Sequence, residues 1–275
     1  MAEQLEHKNS ASGDAVSLPA EFIAVCVLPF VASVWATAYF CRSMCCEMQM
    51  PGRWTMSMMW TRMHGQTWFA SAINFLLMWL AMMVAMMLPS ALPTFLKIKR
   101  APVSLSVMAI GYFTVWLAVG VGVYALGVAF AAAAMRWENF SRTVPVLSGA
   151  SLIAAGAFQL TRWKTSGLLR CRSPFGCASV CPERETNFRL GCKQGVACYL
   201  CCTAPMMILI VLGMMNPLVI IGVTIVIAAE KILPRPATVA RIVGILVIIA
   251  GVAYFCGGFL RPTQHGSSRV ALPSL

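Results

Sequence analysis

The longest apolar segment predicted in the chain runs from Val103 to Met135, 33 residues without a single Asp, Glu, Lys or Arg. A helix that crosses a bilayer needs about 20 mostly apolar residues, so this stretch is long enough to span one. The full chain of 275 residues follows the same pattern, with 59% hydrophobic and only 11% charged residues. Soluble domains carry about 25% charged residues. The sequence therefore predicts an all-α, polytopic transmembrane helix bundle.

Seven segments are predicted to span the membrane, and a count of six is possible because two of them are short. They comprise residues 21–40, 68–88, 103–135, 144–160, 191–215, 217–232 and 239–260. A polar N-terminal tail (residues 1–20) precedes them and a C-terminal tail (residues 261–275) follows. The chain is thus expected to form one multi-span membrane domain over residues 21–260, with the lipid bilayer as its main partner.

The formal net charge of +12 suggests an acidic partner, but no nucleic-acid-binding motif accompanies it, and a nucleic-acid partner is excluded. With seven spans, 14 of the 21 Lys and Arg residues fall on the side of the N-terminus and 7 on the other side. Basic loops are retained on the cytoplasmic side of membranes. This bias predicts a multi-pass protein of the cell (inner) membrane with a cytoplasmic N-terminus. The sequence contains no P-loop, catalytic triad or paired-carboxylate site, so no enzymatic activity is expected.

Sulfur is the compositional anomaly, with 12 Cys and 19 Met beside only three His. The stretch "CYLCC" places Cys198, Cys201 and Cys202 at i, i+3 and i+4, on one face of a predicted helix. Thiolates and thioethers are soft ligands that suit Cu(I). These three cysteines are the first candidate metal ligands. The alternative is that they pack as small hydrophobic side chains.

A second sulfur-rich stretch, "MWLAMMVAMMLPS", covers residues 78–90. Helical spacing puts Met82 and Met86 on a stripe that borders small residues and Asn74, a surface expected to face protein. We interpret Met82 and Met86 as candidate ligands and Met83 and Met87 as packing residues. The alternative for all of them is that methionine fills gaps in the core.

Gln159 and Glu230, near the ends of predicted spans, and Cys171, in the loop between two spans, are further candidates. An ionisable group such as Glu230 at membrane depth indicates a function, although it can instead pair with a Lys or Arg. In an up-and-down bundle, Gln159 and Glu230 reach the same membrane level as Met82–Met87 and Cys198–Cys202. Cys171 belongs to the loop that enters the span of Cys198.

The loop between the first two predicted spans is also rich in sulfur and is expected at the opposite membrane surface. One interpretation is a surface where the metal enters; the other is an interfacial amphipathic helix whose apolar face is Met and Trp. The candidate ligands of this loop are Met44, Cys45, Cys46, Met48, Met58, Met63 and His64.

An ordered series of motifs between residues 68 and 234 resembles a bacterial family of multi-pass proteins. The motifs are "MWLAMMVAMMLPSALP", "GYFTVWLAVG", "AAGAFQLTRWK" followed by "CRSP", "CYLCC" and "GMMNPL…AAEKILP". The family is known as predicted metal-binding integral membrane proteins, and some members are linked to copper supply to tyrosinase-type oxidases. The resemblance implies a membrane protein with copper as its cargo and a copper-dependent enzyme or another membrane subunit as its partner.

Residues and resemblance together favour an integral membrane protein that handles a soft metal ion, Cu(I), through Met and Cys ligands. It would act as a transporter, a chaperone or an assembly factor for a copper enzyme. One alternative is a non-metal membrane scaffold or assembly subunit, which binds no metal. Another is a thiol-redox protein that uses Cys198-x-x-Cys201, although that spacing on a helix lacks the context of known redox motifs.

Overall fold

The computed structural model describes residues 20–43, 47–52, 54–61, 65–96, 102–172 and 187–259. Within these ranges the chain forms eight α-helices and one small hairpin. The helices are α1 (Ala20–Ser43), α2 (Trp68–Leu96), α3 (Pro102–Arg136), α4 (Glu138–Gln159), α5 (Arg162–Arg172), α6 (Asn187–Leu212), α7 (Pro217–Ile232) and α8 (Pro236–Phe259). The hairpin consists of β1 (Glu47–Met50) and β2 (Trp54–Ser57), and a 3-10 turn at Met58–Trp60 follows it.

The predicted helical bundle is confirmed. Four described helices, α2, α3, α6 and α8, are long and apolar enough to cross a membrane. Helices α4 and α5 meet at a bend of 66° and provide a fifth span if the pair counts as one. At 16 residues, α7 is shorter than a full crossing. The predicted count of seven spans therefore stays a prediction, while each of the seven predicted segments overlaps a described helix.

The last helix presents a broad apolar surface to the outside of the bundle. Its exposed side chains include Ile242, Ile245, Leu246, Ile249 and Val252. Soluble monomers rarely expose apolar patches of this kind over several helical turns. The outward face of α8 is thus apolar, which is the pattern expected of a helix that contacts lipid.

The segment at residues 47–57 is an antiparallel hairpin, so the interfacial amphipathic helix considered for it is wrong. Met48 pairs with Met56 and Met50 with Trp54, which puts all four side chains on one face. The turn uses Gly52 at a φ of 100°, a left-handed conformation that glycine adopts readily. Met50 and Met56 pack in a small core with Ala131 and Ala134 of α3. Five of the loop's candidate ligands lie outside the described residues: Met44, Cys45, Cys46, Met63 and His64.

Helices α3 and α6 approach each other so closely that their backbones touch at glycines. A Cβ added at Gly191 would clash with the carbonyl oxygen of Met108, and one at Gly111 with that of Phe188. A Cβ at Gly195 would come within 2.9 Å of the carbonyl oxygen of Tyr112. Small residues allow such close helix packing, which is a main source of association energy within lipid.

Helices α4 and α8 also pack closely at glycines, at a second interface. A Cβ at Gly156 would lie 2.7 Å from the carbonyl oxygen of Gly244, and a Cβ at Gly244 would lie 2.9 Å from that of Gly156. The two glycines therefore face each other across the interface. The contact extends to Gln159 at the end of α4, because a Cβ added at Gly244 would lie 2.9 Å from the Cβ of Gln159.

The methionines of helix α2 are all in the core of the bundle. Met78, Met82, Met83, Met86 and Met87 each expose at most 2% of their surface. The indole of Trp79, between them, donates a hydrogen bond of 2.9 Å to the carbonyl oxygen of Trp116 on α3. The prediction singled out only the stripe of Met82 and Met86 as facing protein. In the structure the stripe of Met83 and Met87 also faces other parts of the protein.

We expect Gly111→Ala to destabilise the protein, because its new methyl group would push against the backbone of α6. Gly122→Ala is the matched control on the same helix, since nothing lies within 4 Å of a Cβ at Gly122. Thermal unfolding of both variants in detergent tests this. The G111A variant should melt at least several degrees below wild type, while G122A, which gains helix propensity of about 1 kcal/mol, should melt at or above it. Equal melting temperatures for the two variants would contradict the close packing.

Candidate metal centre

Three thiols converge at the contact between α5 and α6. The sulfur atoms of Cys171, Cys198 and Cys201 all lie within 4.8 Å of one another, and all three residues are buried. Cys171 comes from α5, the short helix after the bend, whereas the other two lie one turn apart on α6. Two separate helices thus hold the cluster.

Cys202 extends this cluster along α6. Its sulfur lies 3.5 Å from that of Cys201 and 3.9 Å from that of Cys198. Cys198, Cys201 and Cys202 are free thiols, and each exposes at most 1% of its surface. The prediction that the i, i+3, i+4 spacing puts these three on one buried face is confirmed by these contacts. Their role as metal ligands stays a prediction.

The sulfur of Cys198 accepts hydrogen bonds from two side chains outside the thiol cluster. The Tyr112 hydroxyl donates a hydrogen bond of 2.9 Å to its sulfur, and Lys231 Nζ donates one of 3.0 Å. Lys231 also donates a hydrogen bond of 3.1 Å to the hydroxyl of Ser90, at the end of α2. Because a buried thiolate needs a compensating charge, the Lys231 ammonium is well placed to offset a negative charge on Cys198. Such neighbours also orient a ligand toward a metal.

A thioether completes the surroundings of Cys198. The sulfur of Met87 lies 4.0 Å from the sulfur of Cys198, and both residues expose 0% of their surface. Met82 and Met86, the methionines that the sequence favoured, are buried in the same core, but no sulfur contact of theirs with the thiols is found among the described residues. The signal for Met87 was absent from the sequence because helical periodicity does not tell which face of α2 meets α6.

Glu230 forms a buried polar network instead of facing the thiols directly. Its Oε2 accepts a bond of 2.7 Å from Lys164 Nζ, and its Oε1 accepts one of 2.8 Å from the amide of Gln159. Lys164 also donates to the carbonyl oxygen of Cys201 at 2.5 Å. The alternative in which Glu230 pairs with a basic residue therefore describes this structure, although the pair is buried and not at an exposed interface. Gln159, Glu230 and the thiols do meet at one level of the bundle, as expected.

Lys164 is a member of the site that sequence reasoning missed, as are Tyr112 and Lys231. Lys164 exposes 0% of its surface, whereas the sequence counted it among the basic loop residues. Its position two residues into α5, just after the bend, turns its side chain into the bundle. Gly167, one turn further along α5, lies beside Cys201, where an added Cβ would be 3.8 Å from the Cys201 Cβ. The bend at residues 160–161 therefore brings both Lys164 and Cys171 to α6.

Chemically, this donor set suits a soft metal ion. Three thiols with a nearby thioether, and no imidazole or free carboxylate among the described residues around them, favour Cu(I) over hard cations such as Mg²⁺ or Ca²⁺. Metal–sulfur bonds are about 2.3 Å long, which puts the sulfurs of a three-coordinate site about 4.0 Å apart. The sulfur separations of 3.5 Å between Cys201 and Cys202, 3.9 Å between Cys198 and Cys202, and 4.0 Å between Cys198 and Met87 are close to that value.

We expect Lys164→Met to destabilise the protein strongly, because it leaves the carboxylate of Glu230 buried without its cation. Removing one partner of a buried ion pair typically costs about 3–5 kcal/mol. The double variant K164M/E230Q should recover much of that loss. Thermal unfolding in detergent measures both.

The exposed pair Arg142–Glu138 provides the control, since its partners are about half exposed and such pairs contribute little. R142M should therefore melt close to wild type. A melting temperature of K164M equal to that of R142M would show that the buried pair does not stabilise the bundle.

Comparison with known proteins agrees with this donor chemistry. The family model described as "PpoB2: Copper chaperone" matches residues 76–254, well over half of the chain. The matched range includes α2 from Leu76 onward, Cys171, the thiols of α6 and the neighbouring residues Glu230 and Lys231. It excludes the hairpin. No curated protein and no solved structure matches the chain. The chain belongs to the PpoB2 family of copper chaperones.

Proposed function

We propose that this protein is an integral protein of the cell inner membrane that binds Cu(I) at its thiol cluster and supplies it to a copper-dependent enzyme. The observation that carries the proposal is the convergence of Cys171, Cys198 and Cys201, buried and within 4.8 Å of one another. Membership in a copper chaperone family names the metal that these thiols would bind. The role is binding and transfer of an ion, with no catalytic step.

The exposed apolar faces and the basic residues support the membrane placement. Helices α2, α3, α6 and α8 have the length and hydropathy of spans. The thiol cluster lies beside α5, which is rich in basic residues: Arg162, Lys164, Arg170 and Arg172. If basic segments stay inside, the cluster faces the cytoplasmic half of the membrane and the N-terminus is cytoplasmic.

The hairpin and the thiols lie near opposite ends of α3, which supports a route for copper through the bundle. Tyr112 contacts Cys198, and Ala131 packs in the core of the hairpin. Nineteen residues of helix separate them, or about 28 Å, close to the thickness of the hydrocarbon layer. We propose that Met48 and Met58 belong to the surface where copper enters.

Helix α2 connects these two ends. Its Phe75 ring lies 5.2 Å from the ring of Trp60, beside the hairpin, while Met87 contacts Cys198. Between them, on the stripe predicted to face protein, are the buried methionines Met78, Met82 and Met86. Thioethers bind Cu(I) without losing a proton, so a row of them can pass the ion along in an oxidising compartment. We propose Met82 and Met86 as members of that row.

The copper content of the purified full-length protein tests the proposal. The protein is loaded with Cu(I) under anaerobic, reducing conditions in detergent, desalted and measured by elemental analysis. Wild type should retain copper, and the triple variant C198S/C201S/C202S should retain less than about a tenth of that amount, because hydroxyls are poor ligands for Cu(I).

Cys192→Ser and Cys256→Ser are matched controls, since both cysteines are on described helices away from the cluster: Cys192 contacts the carbonyl oxygen of Gly111, and Cys256 is exposed. Both should retain copper like wild type. Copper-free wild type would overturn the proposal and favour a non-metal scaffold. Full retention by the triple variant would place the copper elsewhere in the chain.

A further inference from the structure

The contact between Met87 and Cys198 has the geometry of two ligands of one metal ion. Their sulfurs are 4.0 Å apart, and the sulfur of Cys202 lies 3.9 Å from that of Cys198 on the same helix turn. Two bonds of about 2.3 Å at trigonal angles separate their sulfurs by about 4.0 Å. Two edges of a three-sulfur triangle, with Cys198 at the shared corner, therefore have the expected length.

We propose that Met87 is a Cu(I) ligand, which together with Cys198 and Cys202 forms a mixed thioether and thiolate position beside the all-thiol one. This inference rests on the proposed function and assigns a ligand that the sequence treated as a packing residue. Met87 is the point at which the buried methionines of α2 reach the thiols of α6.

Charge balance in the buried site supports a neutral third ligand. The Lys231 ammonium lies 3.0 Å from the Cys198 sulfur. One Cu(I), two thiolates and this ammonium together carry no net charge, and buried charges are stable only when they are compensated. At this position the thioether of Met87 completes the three ligands without adding charge.

A thioether ligand also determines which ion the position accepts. Methionine sulfur is a soft, neutral donor that suits Cu(I), whereas Zn²⁺ sites are built from Cys thiolate, His and carboxylate ligands. Met87 therefore makes the position selective for Cu(I). Its loss should weaken Cu(I) binding and leave the binding of a thiolate-preferring ion unchanged.

Met87→Leu tests this, with Met83→Leu as the matched control. Met83 lies one turn earlier on α2 and exposes 0% of its surface, as Met87 does. Both changes conserve volume, and such swaps in a core usually cost little stability. Cu(I) affinity of the full-length protein is measured by competition with a chromophoric Cu(I) chelator, and Zn²⁺ affinity by competition with a zinc dye.

We expect M87L to lower Cu(I) affinity about tenfold or more, with Zn²⁺ affinity unchanged. Loss of a residue that only hydrogen-bonds to a metal ligand already lowers metal affinity by about tenfold or more. M83L should match wild type for both ions. Equal Cu(I) affinity of M87L and M83L would overturn the assignment while leaving the proposed copper function intact. Failure of wild type itself to bind Cu(I) would overturn both.

Copper X-ray absorption of protein labelled with selenomethionine is a second measurement. It detects selenium bound to copper, which a methionine that only packs in the core does not provide. Wild type and M83L should show a copper–selenium scattering path, and M87L should lose it. A copper-loaded wild type without that path, or an M87L variant that keeps it, would overturn the role of Met87.

Discussion

The candidate metal centre depends on the close contact between the backbones of α3 and α6. Gly191 and Gly195 place α6 directly against the carbonyl groups of Met108 and Tyr112, so no side chain separates the two helices there. Because of this short distance, the Tyr112 hydroxyl reaches the sulfur of Cys198, one turn after Gly195. Within lipid, helices gain little from apolar burial alone and associate through such packing and through hydrogen bonds. The same contact therefore supplies both stability and the position of a ligand.

Two lysines, the buried Lys164 and the partly buried Lys231, contact the thiol cluster from different sides. Lys164 bonds to the carbonyl oxygen of Cys201 and pairs with Glu230, whereas Lys231 bonds to the sulfur of Cys198. Only the first lysine has a carboxylate partner in the described part of the chain. The ammonium group of the second is directed at the thiol of Cys198. The arrangement separates a buried ion pair from a positive charge that faces the thiols.

Sequence patterns predicted the helices and the core of the site, because both depend on local periodicity. The spacing of Cys198, Cys201 and Cys202 defines a helix face wherever that helix packs. Lys164 could not be found in this way, since its burial results from the bend after Gln159, and a basic residue beside a span end normally lies at the surface. Met87 was assigned to packing because the neighbours of α2 are set by tertiary contacts. The hairpin had a readable signal in Pro51-Gly52, but methionine-rich strands resemble an amphipathic helix in composition.

Glu230 and Lys231 are neighbours in the chain, yet they serve different partners. Neighbouring residues of a helix point about 100° apart, so the last turn of α7 reaches Lys164 of α5 with one side chain and Cys198 of α6 with the next. A rotation of this turn would move both contacts at once. The packing of α5, the helix that carries Cys171, and the surroundings of the Cys198 sulfur therefore depend on the same turn of α7.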